Sequence, residues 1–308
     1  MSTATAPAQP GTHADLGGIR LSFVRLIRSE WIKLRSVRST VWCFGILFLL
    51  NIGFPLLVAS VGNFGAAQGA HVSADTAGAI GVTVITLGVN FTSLVVAVLG
   101  VLIISGEYST GMIRGTFTAD PRRFGALFAK TLVLAITTFV VTVVSTWIAA
   151  IAAHPILANK GIDVDLSDSK VFLPILGSSV YVTLIALLAF GVGTLVRTTA
   201  GGIAITLGAL LVAPIILTIV GGLVTAHWPA DINAFMPSQA GGQLFSYDAG
   251  SAGGVGAGPG GDAGGAGAAA TTASGVVTLN GWEGFGVLGA EVVAVSIAAF
   301  VLVKRRDA

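Results

Sequence analysis

Six long apolar runs constrain this chain more than any other feature of its sequence. Each is close to the roughly 20 residues that an α-helix needs to cross a bilayer. Backbone groups in hydrocarbon must find hydrogen-bond partners within their own segment, so each run is expected to be a helix. The sequence therefore predicts an all-α integral membrane protein with six transmembrane helices, at about residues 40–61, 80–104, 131–153, 172–196, 203–223 and 284–303.

The composition agrees with this class of protein. Apolar residues make up 54% of the 308 residues and charged residues only 10%, whereas a soluble domain carries about 25% charged residues. A net charge of +2 gives no sign of nucleic-acid binding. Cys43 is the single cysteine and lies within an apolar run, so no disulfide framework is expected within one chain. Residues 1–18 lack the apolar core of a signal peptide and are expected to form a disordered tail.

Residues 19–38 show the pattern of an amphipathic helix ahead of the first apolar run. On a helical wheel the arginines fall on one side, and the other side collects the apolar residues Phe23, Val24, Ile27, Trp31 and Leu34. Such a basic helix with an aromatic side chain lies along the membrane interface, which predicts an elbow helix there. Glu30 falls near the apolar side, where a carboxylate is costly unless it is paired, and Lys33 is its nearest local partner.

The elbow helix has two open interpretations, a lipid anchor alone or an anchor that also touches a cytoplasmic partner. Its candidate functional residues are Glu30, Trp31, Lys33 and Arg35.

The positive charges predict the orientation of the chain. An even number of spans puts both termini on one side of the membrane. All but Lys160 and Lys170 of the sixteen Lys and Arg residues fall on that side. Because cytoplasmic loops carry an excess of Lys and Arg, both termini are predicted to be cytoplasmic.

The predicted loops differ in kind. The cytoplasmic loop 105–130 is long, polar and basic. The outer loop 224–283 starts with a semi-apolar half that is expected to form short helices at the outer mouth. Its segment 249–275 is almost all Gly and Ala and is expected to be flexible, because it buries too little surface to offset its ordering entropy. The outer loop 154–171 carries three aspartates but lacks the glycine and closing glutamate of a calcium loop.

The sequence contains no complete motif for catalysis or for nucleotide binding, and its partial matches lie in the wrong context. Gly284 to Gly289 matches G-x-G-x-x-G but opens a membrane helix instead of following a strand. Lys130-Thr131 resembles the end of a P-loop, yet Phe124 and Ala129 stand where glycines are required. The four histidines show no metal-ligand spacing. We therefore expect no enzymatic activity, no metal site and no cofactor bound by this chain itself.

A few polar side chains lie within the spans and are candidates to line a pathway. The two that we single out are Asn90 and Glu291. A charged residue within a span is costly and is a functional hypothesis by default. For Glu291 the alternatives are a bond to a neighbouring helix and a contact with the outer interface. One acid without a clear partner gives little support for a proton relay.

Four stretches carry a resemblance to a known family. They are residues 29–42 (SEWIKLRSVRSTVW), 106–116 (GEYSTGMIRGT) with Pro121-Arg-Arg and Ala129-Lys130 after it, 235–241 (FMPSQAG) and 303–308 (VKRRDA). The chain resembles the permease subunits of ABC type-2 exporters, especially actinobacterial ones, over its whole six-span body. The resemblance implies a bacterial cytoplasmic membrane protein, and neither Glu291 nor the Gly/Ala segment belongs to its pattern.

The resemblance also implies a mechanism and partners. Two permease bodies, identical or paralogous, pair with two separate cytoplasmic ATPase subunits, which bind ATP and Mg. The complex exports an unidentified substrate, and the apolar spans favour a hydrophobic or amphipathic one. The alternative function is a gradient-driven secondary transporter or channel, which would normally show more intramembrane charge or inverted repeats.

In this family the loop after the second span forms a coupling helix, here roughly Tyr108 to Thr118. Apolar contacts to the ATPase would come from Met112, Ile113 and Phe117, and polar contacts from Arg114. Glu107 would bond the elbow helix or Arg114 and so fix the loop. The candidate coupling residues are Glu107, Tyr108, Met112, Ile113, Arg114, Phe117, Arg122 and Arg123. The alternative is an ordinary basic loop that only enforces topology.

Overall fold

The computed structural model describes residues 23–64, 73–111, 124–224, 226–247 and 277–306. These parts of the chain form helices and turns and contain no β-strand. Six of the helices in them are long and apolar enough to cross a membrane. The predicted all-α class and the predicted six spans are thus confirmed.

The described helices run in chain order as α1 Phe23–Ser36, α2 Arg38–Val61, α3 Ala74–Thr110, α4 Phe124–Ala158, α5 Ser169–Val196, α6 Thr199–Leu207, α7 Ala213–Leu223, α8 Trp228–Ala234, α9 Pro237–Gly242 and α10 Gly281–Arg306. A π-helical turn, Gly208–Val212, joins α6 and α7 into one continuous span. It precedes Pro214, whose missing N–H interrupts the regular hydrogen-bond ladder. A 3₁₀ turn, Gln243–Phe245, follows α9.

α3 and α4 extend well beyond their apolar runs, which corrects the predicted loops. α3 continues to Thr110 and α4 begins at Phe124, so the loop predicted over 105–130 is helical at both ends. The charged side chains in these extensions are paired with one another, as described below, and their cost within a helix is thereby offset. At its other end α3 begins at Ala74, six residues before the predicted start of the second span. The Ser73 side chain there caps the helix by accepting from the Thr76 amide.

α3 and α5 form the centre of the bundle. Of the 18 most apolar consecutive residues in each of these helices, 56% are buried. In α2 and in the α6–α7 span the corresponding share is 17%. Gly100 allows the two central helices to approach closely, since a Cβ at this position would lie 2.5 Å from the carbonyl oxygen of Ala186. Small residues at helix crossings permit the tight packing on which membrane bundles depend.

A buried polar contact joins α2 to α4. The side-chain amide of Asn51 donates to Ser145 Oγ and to Thr146 Oγ1, both at 2.7 Å. All three side chains are fully buried. Hydrogen bonds of this kind fix the contact between helices whose remaining surface is apolar.

The end of the bundle opposite α1 carries the short helices α8 and α9, as expected for the first half of loop 224–283. The Phe245 ring packs 5.3 Å from the Tyr181 ring of α5, centroid to centroid. The Tyr247 hydroxyl donates to Asp75 Oδ1 at 3.3 Å, and Lys170 donates to the same oxygen at 3.1 Å. The segment is therefore tied to the first turn of α3 through Asp75 and to the middle of α5 through Tyr181. The predicted flexible segment 249–275 lies outside the described residues.

Candidate functional site

Four charged side chains from three helices meet at the end of the bundle that holds α1. Lys130 of α4 contacts Glu30 Oε2 of α1 and Glu107 Oε1 of α3, each at 2.6 Å. Lys33 of α1 contacts Glu30 Oε1 at 2.8 Å and Glu107 Oε1 at 3.5 Å. Each lysine thus touches both carboxylates. We call Glu30, Lys33, Glu107 and Lys130 the ion cluster.

Three members of the ion cluster are almost completely withdrawn from solvent. The side chains of Glu30, Glu107 and Lys130 are only 5–7% exposed, whereas that of Lys33 is 41% exposed. Isolated charges at such burial would be strongly destabilising, but two carboxylates and two ammonium groups neutralise one another. The cluster therefore holds α1, α3 and α4 in one fixed arrangement.

Local helix packing brings the four groups together. α1 lies against the start of α4, with the Phe23 and Phe128 rings 5.9 Å apart. Glu30 and Lys33 are one turn apart on the face of α1 that packs inward. Burial lowers the pKa of Lys33, but its hydrogen bonds with Glu30 and Glu107 and their charges raise it more. The net result is a Lys33 pKa above its usual value. The lysine is therefore positively charged at neutral pH.

The structure places the predicted elbow residues on two sides of α1. Glu30 and Lys33 face inward and form the predicted contact with each other, while Trp31 and Arg35 are exposed. The apolar side chains Val24 and Trp31 point away from the bundle, and the inward face is centred on Glu30. The position of α1 along a membrane surface stays a prediction.

The predicted coupling residues divide between described and undescribed parts of the chain. Glu107 and Tyr108 lie in the last turns of α3, and Glu107 contacts the elbow helix through Lys33, one of the two alternatives that we predicted. The other six candidates lie outside the described residues: Met112, Ile113, Arg114, Phe117, Arg122 and Arg123. That segment leaves α3 shortly after Glu107 and leads into α4 shortly before Lys130. Both of its flanking helices are thus anchored in the ion cluster.

The candidate pathway residues Asn90 and Glu291 are both half-buried, on α3 and α10. Each of these helices packs on α5, and nothing in the described contacts joins the two side chains. Glu291 Oε2 is buried and has no hydrogen-bond partner among the described residues. The structure therefore does not assemble Asn90 and Glu291 into one site.

The sequence did not predict two of the contacts that the structure shows, those of Lys130 and of Asn51. Lys130 was recognised as a topological charge and as part of a failed P-loop, not as the partner of Glu30 and Glu107. Its position at the edge of an apolar run, like that of Glu107, was an available signal of pairing across helices. For the contact of Asn51 with Ser145 and Thr146, the sequence offered weaker evidence. It showed only an amide in one span and hydroxyl groups in another.

In the described part of the chain, no three His, Cys, Asp or Glu side chains come together as metal ligands.

Comparison with known proteins assigns the family. The model of a family described as ABC-2 family transporter protein matches residues 26–225. Comparison with curated proteins and with solved structures gives no match. The matched range runs from the first turn of α1 to the end of α7 and includes all four members of the ion cluster. With well over half of its length matched and six apolar helices in its described part, the chain belongs to the ABC-2 transporter family and is a membrane-spanning permease of an ABC transporter.

Proposed function

We propose that this permease is part of an ATP-driven exporter in a bacterial cytoplasmic membrane and that a separate ATPase supplies its energy. Two permease bodies, identical or paralogous, work with two ATPase subunits, which bind ATP and Mg. The substrate is an unidentified hydrophobic or amphipathic molecule. Family membership supports the assembly with an ATPase in general, and the other elements of the proposal rest on the sequence and on the contacts described above.

The ion cluster is the observation that carries this proposal. The segment between Gly111 and Phe124 connects two helices whose ends are locked together through Glu107 and Lys130. A push on that segment therefore acts on α3, α4 and α1 together and is not absorbed by bending one helix. An ordinary loop that only enforces topology would need no buried charges at both of its flanks.

ATP binding to the partner would close the ATPase pair and displace the coupling segments of both permeases. The ion cluster would pass the displacement into the central helix α3 and into α4, and a path would open between the two permease bodies. Such a change requires that the closed ATPase pair bind one permease conformation more tightly than the other. Differential ATP binding, and not an ion gradient, would then drive transport.

The orientation follows from the distribution of charge. The ion cluster lies at the same end as the basic N-terminal region, and the proposal places that end in the cytoplasm, where the positive-inside rule puts it. The exposed basic face of α1, with Arg25, Arg28 and Arg35, would then meet the headgroups of the inner leaflet. The short helices α8 and α9 would lie outside.

The first experiment is affinity purification of the tagged chain from its native membrane in mild detergent, scored for ATPase activity and co-purifying subunits. We expect a stoichiometric ATPase subunit with the unaltered chain. We expect its loss when Ile113, Arg114 and Phe117 are replaced together by Asp, because the apolar and cationic contacts then become carboxylates.

A matched control places three carboxylates at the opposite end of the bundle, with Asn159, Ser167 and Ser169 replaced by Asp. These side chains are exposed, and the ATPase is expected to stay bound. A chain that purifies without any ATPase even after cross-linking would remove the proposed energy source. The gradient-driven alternative would then be tested by transport with the ion gradient collapsed and ATP maintained.

A further inference from the structure

The last two turns of α3 are held on a second side, by the turn between α5 and α6. Thr199 Oγ1 and Ser105 Oγ are 2.9 Å apart in a hydrogen bond. The guanidinium carbon of Arg197 lies 5.2 Å from the centre of the Tyr108 ring. This distance is within the range of a cation–π interaction. Ser105 and Tyr108 flank Glu107, so the end of α3 lies between the ion cluster and this turn.

The helix backbones are also in close contact at this point. A Cβ at Gly193 of α5 would lie 2.8 Å from Ile104 Cγ2, and one at Gly202 of α6 would lie 2.7 Å from Val101 Cγ1. Packing this tight leaves no room for α3 to slide past α5 and α6. A displacement of the end of α3 must therefore move the α5–α6 turn with it.

The backbone of Arg197 is strained. Its φ of 60° and ψ of 4° place it in the left-handed region at the end of α5. Within the described residues it is the only residue other than glycine with a positive φ. Glycine or asparagine is usual at this position of a helix end. An arginine persists in this conformation only where the surroundings hold it, and such strain clusters at functional elements.

The span that begins at Thr199 is one of the least buried in the molecule. Only 17% of its most apolar window is buried, against 56% in α3 and α5. It contains the π-helical turn Gly208–Val212, a feature frequent at functional sites. Its described packing on the central helices is made through α6, next to the Arg197 turn. The other end of the span packs on the short helix α8, and a span with so little burial is suited to move when its α6 end is moved.

We propose that Arg197, held over the Tyr108 ring, is a positioning residue that transmits displacement of the cytoplasmic end of α3 to the α6–α7 span. This inference rests on the proposed function, since ATP binding supplies the displacement. Movement of the coupling segment would then reach two separate parts of the bundle. The ion cluster carries the movement to α1 and α4, and the Arg197 turn carries it to the loosely packed span.

The test uses spin labels, for which the chain is well suited because Cys43 is its only cysteine. In a Cys43→Ser background, labels at Ala200→Cys and Asp163→Cys report movement of the start of α6 relative to the opposite end. Both positions are exposed. Pulsed-EPR distances are measured in the purified complex of the permease and its ATPase, with and without a non-hydrolysable ATP analogue.

The decisive variants are Arg197→Gly and Tyr108→Leu. The glycine removes the cation while relieving the backbone strain, so a loss in this variant is not a folding defect. In the unaltered complex we expect the distance between the two labels to change when the nucleotide binds. The same change is expected in the conservative variants Arg197→Lys and Tyr108→Phe. It is also expected in the neighbouring variant Thr198→Ala. We expect its loss in Arg197→Gly, with the ATPase still bound, and its loss also in Tyr108→Leu.

The possible outcomes separate this inference from the proposed function. A shift that persists in Arg197→Gly and Tyr108→Leu overturns the role of Arg197 while leaving the ATP-driven permease intact. A complex that binds the analogue without any shift in the unaltered chain also overturns it. If no ATPase co-purifies, the proposed function fails, and the transmission inference fails with it.

Discussion

Lys130 has the central position in the ion cluster, because it makes the two shortest contacts and comes from a different helix than either carboxylate. In the sequence it looks like one of several basic residues of a cytoplasmic loop. Burial changes its role, since a lysine that is 7% exposed stabilises the fold only as long as both of its partners are present. A surface lysine in an ion pair contributes much less.

Replacing Lys130 by Met should destabilise the chain strongly. Glu30 Oε2 loses its contact with the Lys130 ammonium, and among the described contacts Glu107 keeps only the one at 3.5 Å with Lys33. Removing one member of a buried ion pair costs about 3–5 kcal/mol of unfolding free energy. The measurement is the thermal midpoint of the detergent-solubilised chain, followed by size-exclusion chromatography.

The matched control for Lys130→Met is Lys170→Met. Lys170 also pairs with a carboxylate, Asp75, but both side chains are exposed, and the thermal midpoint should hardly change. Equal losses in the two variants would show that the ion cluster is no more important to the fold than a surface pair.

At the scale of the elements, α3 connects the other parts of the bundle. It packs against α2, α5 and α6, it carries Glu107 into the ion cluster, and its glycines permit close helix crossings. Membrane helices gain little from burying apolar surface against one another, because lipid is as apolar as a leucine side chain. Shape at the crossing points therefore decides how well α3 packs.

A methyl group at Gly100 should disrupt the central crossing. The added Cβ in Gly100→Ala would lie 2.5 Å from the Ala186 carbonyl oxygen and 2.9 Å from the Ala189 Cβ, so α3 and α5 must separate. Overpacking of this kind costs about 1–3 kcal/mol, which a lower thermal midpoint would reveal.

Gly45→Ala in α2 serves as the control for Gly100→Ala. No atom lies within 4 Å of the added Cβ, and replacing a helical glycine by alanine is favourable by about 0.5–1 kcal/mol. If Gly100→Ala were as stable as Gly45→Ala, the close crossing of α3 and α5 would be incorrect.

At the scale of the whole molecule, the two ends of the bundle differ in their chemistry. The end that holds α1 has a buried, neutral ion cluster surrounded by exposed arginines. The opposite end has exposed polar contacts, such as Asp75 with Lys170 and Lys160 with the carbonyls of Ser60 and Gly62. By the positive-inside rule this asymmetry predicts that the arginine-rich end lies on the cytoplasmic side.

Cysteine labelling in intact cells tests the orientation. In the Cys43→Ser background, a membrane-impermeant maleimide should label Asp163→Cys, because position 163 is exposed at the proposed outer end. Ser109→Cys, exposed at the α1 end, should react only after the cells are permeabilised. The reverse pattern of labelling would place both termini outside and contradict the positive-inside assignment.

The sequence alone determined the class of the protein, its six spans and the approximate ends of most of them. These properties depend on local composition, since a run of about 20 apolar residues has few other structures open to it in a bilayer. The contact of Glu30 with Lys33 was also predictable, because residues three apart on a helix are neighbours.

Only the tertiary structure showed that Glu107 and Lys130 belong to the same cluster as Glu30 and Lys33, and that Arg197 lies over Tyr108. Charge alone did not indicate these pairs, because they depend on which helices become neighbours and at what rotation. In hydrocarbon the neighbours of a helix are determined by close packing at small residues such as Gly100 and Gly193. Hydrophobicity does not favour one neighbour over another, because lipid is as apolar as the helix surfaces. The pairing of distant charges is therefore a consequence of the folded bundle.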